Sequence, residues 1–396
     1  MLNPLRVLWR ISRFRPTTKF VHVSMGPDLE ANNRRRPARL VSILTVVPAA
    51  AIGLFAAASA VHGEPSRTAE GTAVAAGSTA IVLQTAKTEE GQTVIYDAYT
   101  WRRRELAKRL PLSETWPSES AIATQFKRYN LDAAPMPESV PVRSRIMDDI
   151  YVVNSESNLT YLIDAGPHQL VLIDPGFERN VDSILKNVEA LGFSISDIKW
   201  VINTHAHLDH SMADAHFQRL GAKILIGRED VYAVEKGTEV TGRSGLPAAE
   251  NANYPTLHVD WPVDDGEHLV LGNKTFLALR TPGHTAGSTC YLLQIGGRNV
   301  LFGGDTILFD YRLGQQTSPF ADNVAYLASL KKLVAFGKYY RWDVLLPGHG
   351  TIVLDRAYID VLKGERQVQL DVVEGAPVQA LPFATDAYRE LMFGRP

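Results

Sequence analysis

Residues 204–210 read Thr-His-Ala-His-Leu-Asp-His, which sets three imidazoles (His205, His207 and His210) and the carboxylate of Asp209 within one short run. Core packing does not explain such a run, because each buried ring or carboxylate needs a hydrogen-bond partner or a cation. Three more residues of the same types follow glycine: His284 after Pro282-Gly283, Asp305 after Gly303-Gly304, and His349 after Pro347-Gly348. Imidazole and carboxylate ligands without a thiolate suit zinc first, with iron or manganese behind it. The chemistry indicated is metal binding and, with it, metal-assisted attack on a bond.

Those side chains must be aimed by the elements that precede them. Apolar runs at 199–203, 274–280, 299–302 and 343–346 predict strands, and each runs into one of the four motifs. Glycine lets the backbone turn sharply there and lets a side chain point inward at the sheet edge. In α/β folds the carboxyl ends of strands are where ligands bind. Upstream, 150–153, 159–164 and 169–174 read as a meander of strands. Val181, Ile184, Leu185, Val188 and Leu191 predict a helix over 180–191, stopped by Gly192. A helix at 211–220, a strand at 222–226 and a helix at 228–235 continue the alternation. Past a Gly/Pro/Asn-rich loop at 237–255, whose length suits a lid or a substrate wall, come strands at 268–271 and 289–294. Helices are predicted at 322–336 and 355–369. The class is α/β, and periodicity alone does not choose among α/β layouts.

Taken together, the His-x-His-x-Asp-His run, the later His after Pro-Gly, the Gly-Gly-Asp and the Pro-Gly-His resemble the metallo-beta-lactamase fold superfamily over about 145–369. The resemblance implies a four-layer αββα sandwich of two mixed β-sheets with helices on the outer faces. It implies two Zn2+ ions, with His205, His207 and His284 holding the first, Asp209, His210 and His349 the second, and Asp305 bridging both. Asp174, in the Leu-Val-Leu-Ile-Asp-Pro-Gly stretch, is expected to support a ligand rather than to be one. A thiolate-using beta-lactamase would carry cysteine where Asp305 stands. Asp305 makes the site similar to glyoxalase II, to lactonases and to the third, all His/Asp-ligand subclass of metallo-beta-lactamases, and 188–216 looks most like that subclass. The implied reaction is attack on a cyclic amide, lactone or related ester by a hydroxide shared between the metals. Asp209 would orient the nucleophile and pass its proton to the leaving group. Tyr311 is a candidate donor to the substrate carbonyl, as a tyrosine is in lactonases, set against simple packing beside Phe309 and Phe320. Beta-lactamase activity is one candidate. The alternatives are a thioester hydrolase of glyoxalase II type and a mononuclear iron oxygenase on the same fold.

The rest of the chain bounds this reading. Of 396 residues, 41 are basic and 43 acidic, so the formal charge of −2 gives no electrostatic footprint for nucleic acid, and the expected partner is a small-molecule substrate. Cys290 is the only cysteine and cannot close an intramolecular disulfide. Arg34, Arg35, Arg36 and Arg39 lead into an apolar segment at 40–61 that ends in Ala58-Ser59-Ala60, a small-x-small cleavage pattern. Residues 1–60 therefore read as a signal peptide or an uncleaved membrane anchor, which predicts a periplasmic or secreted body; Met25 is an alternative start. Membrane contact is expected only through an uncleaved leader. Glyoxalase II chemistry belongs to reducing compartments and fits export poorly. Residues 61–144 read as an extension, linker-like through Thr93 and helical at 98–110 and 119–129, with Arg102-Arg103-Arg104 as a solvated helix face. Residues 145–396 form the expected hydrolase domain.

Overall fold

The computed structural model describes residues 83–107, 140–238, 240–242, 254–309 and 321–374, all within the unit Glu70–Pro396. The expected leader at 1–60, the helix at 119–129 and Tyr311 lie outside the described residues. Strands β1 (Ala86–Lys87) and β2 (Thr93–Ile95) precede helix α1 (Ala98–Ala107). Next come β3 (Ser144–Met147), β4 (Ile150–Asn154), β5 (Thr160–Asp164), β6 (Leu170–Ile173), α2 (Val181–Ala190) and β7 (Ile198–Asn203). Two short helices, α3 (Leu208–Ser211) and α4 (Asp214–Arg219), lead to β8 (Lys223–Gly227), α5 (Val231–Lys236) and β9 (Trp261–Val263). The second half holds β10 (His268–Leu271), β11 (Lys274–Arg280), β12 (Thr289–Ile295), β13 (Arg298–Gly304), α6 (Asn323–Tyr340), β14 (Val344–Pro347), β15 (Ile352–Val353) and α7 (Tyr358–Glu374).

The strands form two mixed sheets, an eight-stranded one in the order β1-β2-β15-β14-β13-β12-β11-β10 and a seven-stranded one in the order β3 to β9. Side-chain alternation explains why they stack. In β12 and β13, Tyr291, Leu293, Val300 and Phe302 face a core shared with Tyr161, Ile163, Val171 and Ile173 of the other sheet. Their neighbours Cys290, Leu292 and Leu301 point the opposite way, against Tyr326, Leu330 and Leu333 of α6. The period-2 pattern of a strand thus feeds two apolar layers at once. Leu162, Leu170, Leu172 and Val201 do the same on the outer face of the seven-stranded sheet, where the α2 stripe of Val181, Ile184 and Val188 covers them. The result is the αββα four-layer sandwich.

The extension departs from expectation. The stretch read as linker-like through Thr93 contains β1 and runs into β2, and β2 pairs antiparallel with β15 (Ile95 with Ile352, Val94 with Val353). Strands this short carry no periodicity of their own, and their partner lies at the far end of the sequence. Nor does the sequence pattern predict β9, which contains Pro262 and sits at a sheet edge, where a missing N–H costs nothing. The helix expected over 211–220 starts only at Asp214, as α4, and Leu208–Ser211, expected as loop through His210, forms the separate short helix α3. The break between them is pinned from outside: Ala213 N donates to Gly176 O at 2.8 Å and Gly176 N to His210 O at 2.9 Å. Among the described residues no helix is long and apolar enough to cross a membrane.

Candidate metal centre

Four strand ends supply the ligand-type residues. β7 runs into Thr204 to His207, where α3 begins and carries Asp209 and His210. β11 leads to His284, β13 to Asp305 and β14 to His349. Two glycines show why the loops are built as they are. A Cβ on Gly348 would lie 2.5 Å from Asp305 Oδ1 and 2.7 Å from His210 Cε1. One on Gly304, whose φ is +49°, would lie 2.5 Å from Thr204 Oγ1.

All seven side chains are buried and lie together. Their ligand atoms fall into three mutually close groups: His205, His207 and His284; Asp209, His210 and His349; and His205, His210 and Asp305. Asp305 faces both sides of the cluster. Its Oδ2 is 3.5 Å from His284 Nε2, while Oδ1 is 3.5 Å from His210 Nε2 and 3.4 Å from His349 Nε2. Asp209 Oδ2 stands 3.3 Å from His349 Nε2.

The neighbours fix which nitrogen of a ring is presented. His210 Nδ1 lies 3.0 Å from Asp174 Oδ2, and His349 Nδ1 lies 2.8 Å from the Ser157 carbonyl. Both acceptors require the proton on Nδ1, which leaves Nε2 as a lone pair aimed into the cluster. Thr204 Oγ1 donates to Asp174 Oδ2 at 2.7 Å, so toward His205 Nδ1, 3.1 Å away, it acts as acceptor. His205 Nε2 is therefore also turned inward. Asp174 is itself over-determined at a φ of +50°. Its carbonyl accepts from Asn158 Nδ2 at 2.7 Å and Thr160 Oγ1 at 2.8 Å, and its carboxylate takes Thr204 N at 2.7 Å.

This arrangement fits a bound cation. His210 Nε2 and His349 Nε2 are 3.1 Å apart, and so are His205 Nε2 and His207 Nδ1. Two nitrogens that close need a proton or a cation between them, and two nitrogens on one tetrahedral zinc stand roughly 3.3 Å apart, given Zn–N bonds of about 2.0–2.1 Å. Asp305 Oδ1 is buried and takes no hydrogen bond within the described residues. Electrostatics point the same way. Burial lowers the His205 pKa well below the imidazole range, helped by the rings of His210, His207 and His284, so this ring is a neutral ligand. At His349 burial also lowers the pKa, but Asp305 and Asp209 override it and raise the group to about 9. At His210 burial is likewise outweighed, here by Asp209, Asp305 and Asp174, and the pKa rises. Burial pushes Asp305 up, yet His349 and His210 hold it well below the carboxylate range. The carboxylate side of the cluster calls for positive charge.

Among the described residues, the other histidines stand apart. His216, on α4, lies 3.7 Å from Glu178, His168 is 3.3 Å from Asp197 and His258 is 3.0 Å from Glu235; none joins the three groups. The 237–255 loop is anchored at both ends to α3: Leu208 N donates to Thr241 O at 2.8 Å, and Tyr254 Oη and Ser211 Oγ are 2.7 Å apart. The sequence reading missed Thr204 and Ser157. A threonine directly before a ligand was a usable signal. Ser157 acts through its carbonyl, which side-chain identity does not encode.

Comparison with known proteins follows the same residues. The metallo-beta-lactamase superfamily profile matches residues 154–349. A probable metallo-hydrolase of Methanocaldococcus jannaschii is 32% identical over 183 residues, 46% of this chain and 83% of that one. A hydroxyacylglutathione hydrolase of Maricaulis maris is 32% identical over 129 residues, which cover 32% of this chain and 40% of that enzyme. Among solved structures, a subclass B3 metallo-beta-lactamase of Bradyrhizobium japonicum is 29% identical, with 62% of this chain and 86% of that one covered and a TM-score of 0.43.

Proposed function

The chain belongs to the metallo-beta-lactamase superfamily and is a metal-dependent hydrolase, and from that premise we propose that it is an exported enzyme that holds two divalent ions, zinc by preference, and opens a cyclic amide, lactone or related ester of a small molecule. The observation that carries the two-ion reading is Asp305, whose two oxygens face the two histidine groups. His205, His207 and His284 would hold one ion and Asp209, His210 and His349 the other, with Asp305 placed between the two sets. Such ions supply Lewis acidity and bring the pKa of a coordinated water toward about 7.

The chain's own residues do the rest. Asp174 and the Ser157 carbonyl hold the protons of His210 and His349 on Nδ1, so the cluster keeps its shape through a catalytic cycle. The Asp209 carboxylate takes up the proton of the attacking water and returns it to the departing group. Burial of all seven side chains keeps bulk water out, where each charge interaction is stronger. Export is supported by the basic stretch, apolar segment and Ala58-Ser59-Ala60 pattern, with residues 1–60 as the leader. A thioester hydrolase is the second reading, favoured by the relatives named hydroxyacylglutathione hydrolase, which match over 40% and 41% of their lengths.

The test is chelation followed by zinc reconstitution, with assays on carbapenem, homoserine lactone, aryl ester and thioester substrates. Two zinc ions per chain and turnover of a lactam, lactone or ester are expected. Turnover of the thioester alone would select the second reading. One iron per chain with oxygen consumption would sink both.

A further inference from the structure

Asp230 lies outside the seven-residue cluster, yet its carboxylate ties together the loops that carry three of the histidines. It is 1% exposed and closes the short turn Arg228–Asp230 after β8. Oδ2 accepts from Ala206 N, the peptide nitrogen between His205 and His207, at 2.9 Å. The same oxygen accepts from Thr285 Oγ1, next to His284, at 2.6 Å, and Oδ1 accepts from Gly287 N at 2.8 Å. Ser288 Oγ closes that turn by accepting from Thr285 N at 3.0 Å. The packing is tight: a Cβ on Gly287 would lie 2.5 Å from Asp230 N and 2.6 Å from its Cβ.

We infer that Asp230 is a positioning residue for the three-histidine group, setting the distance between the loop that bears His205 and His207 and the loop that bears His284. A carboxylate suits the task because Oδ2 takes one donor from each loop while Oδ1 takes a third from Gly287 N. An amide has one oxygen, and its NH2 group would face one of these donors as a second donor. Two of the three donors are backbone N–H groups, so the link fixes the course of each loop. Removing an outer partner of this kind typically weakens metal affinity by about 10- to 100-fold. The inference rests on the proposal that the cluster holds metal ions.

The experiment strips the full chain with a chelator and titrates zinc against a chromogenic competitor, in wild type, Asp230→Asn, Thr285→Val and Asp360→Asn. Asp360 is a buried carboxylate of α7 that accepts from Gln92 Nε2 at 2.7 Å, and it reports the general effect of losing such a group. Asp230→Asn and Thr285→Val should each weaken one of the two zinc ions by about 10-fold or more. Asp360→Asn should keep wild-type affinity even as the melting temperature of the stripped protein falls. Should Asp230→Asn fail to fold, Thr285→Val, close in shape to the parent, carries the test. Wild-type affinity in Asp230→Asn or Thr285→Val, or an equal loss in Asp360→Asn, overturns the inference alone. A wild-type chain that takes up no zinc overturns the metal reading beneath it, and the inference with it.

Discussion

A histidine binds a cation only through a nitrogen that carries no proton, so the residues that decide where the proton sits matter as much as the ring. Asp174 governs two rings, His210 directly and His205 through Thr204. Asp174→Ala should leave His210 Nδ1–H and Thr204 N–H without their acceptor, at about 1–3 kcal/mol for each buried donor. Metal content by emission spectrometry should fall below two ions per chain, and wild-type content would refute the role. Cys290 gives a second check. Burial pushes its thiol up to about 11, so at pH 8 it should be inert to a thiol reagent until the protein is unfolded. At this scale the sequence was legible for the ligand types, because three histidines and an aspartate within 204–210 make a poor core and a good set of ligands. It was silent on Ser157, since every residue owns a carbonyl.

Elements translate those residues into a site, and they fail in recognisable ways. Asp322 caps α6 by accepting from Val324 N and Ala325 N, both at 2.9 Å, while its own N donates to Gly283 O in the His284 loop. Asp322→Ala should cost about 1 kcal/mol in denaturant melts, a typical loss for an N-cap. Between the sheets, Phe276→Ala should cost about 3–5 kcal/mol, because that ring is fully buried against Phe302. A loss under about 1 kcal/mol would mean that the layer can collapse around the gap. The α2 stripe of Val181, Ile184 and Val188 and the apolar runs of the central strands were readable from pattern alone. The helix expected from 211 starts only at Asp214, and the short helix α3 lies largely where a loop is expected, because Gly176, remote in sequence, makes the break.

For the whole molecule, the cluster draws on both sheets, with His205, His207, Asp209 and His210 from one and His284, Asp305 and His349 from the other. Bound ions would therefore cross-link the two halves of the sandwich. Chelation should lower the melting temperature, and ligand linkage sets the scale at about 4 kcal/mol when free metal exceeds its Kd a thousandfold. Calorimetry with and without chelator measures it; an unchanged transition would mean that the ions contribute nothing to cohesion. The β2–β15 pairing has its own consequence for a chain cut short. Ile95 waits for Ile352, so a chain clipped between β14 and β15 exposes raw strand edge on β14, where an identical neighbour can dock and seed precipitation.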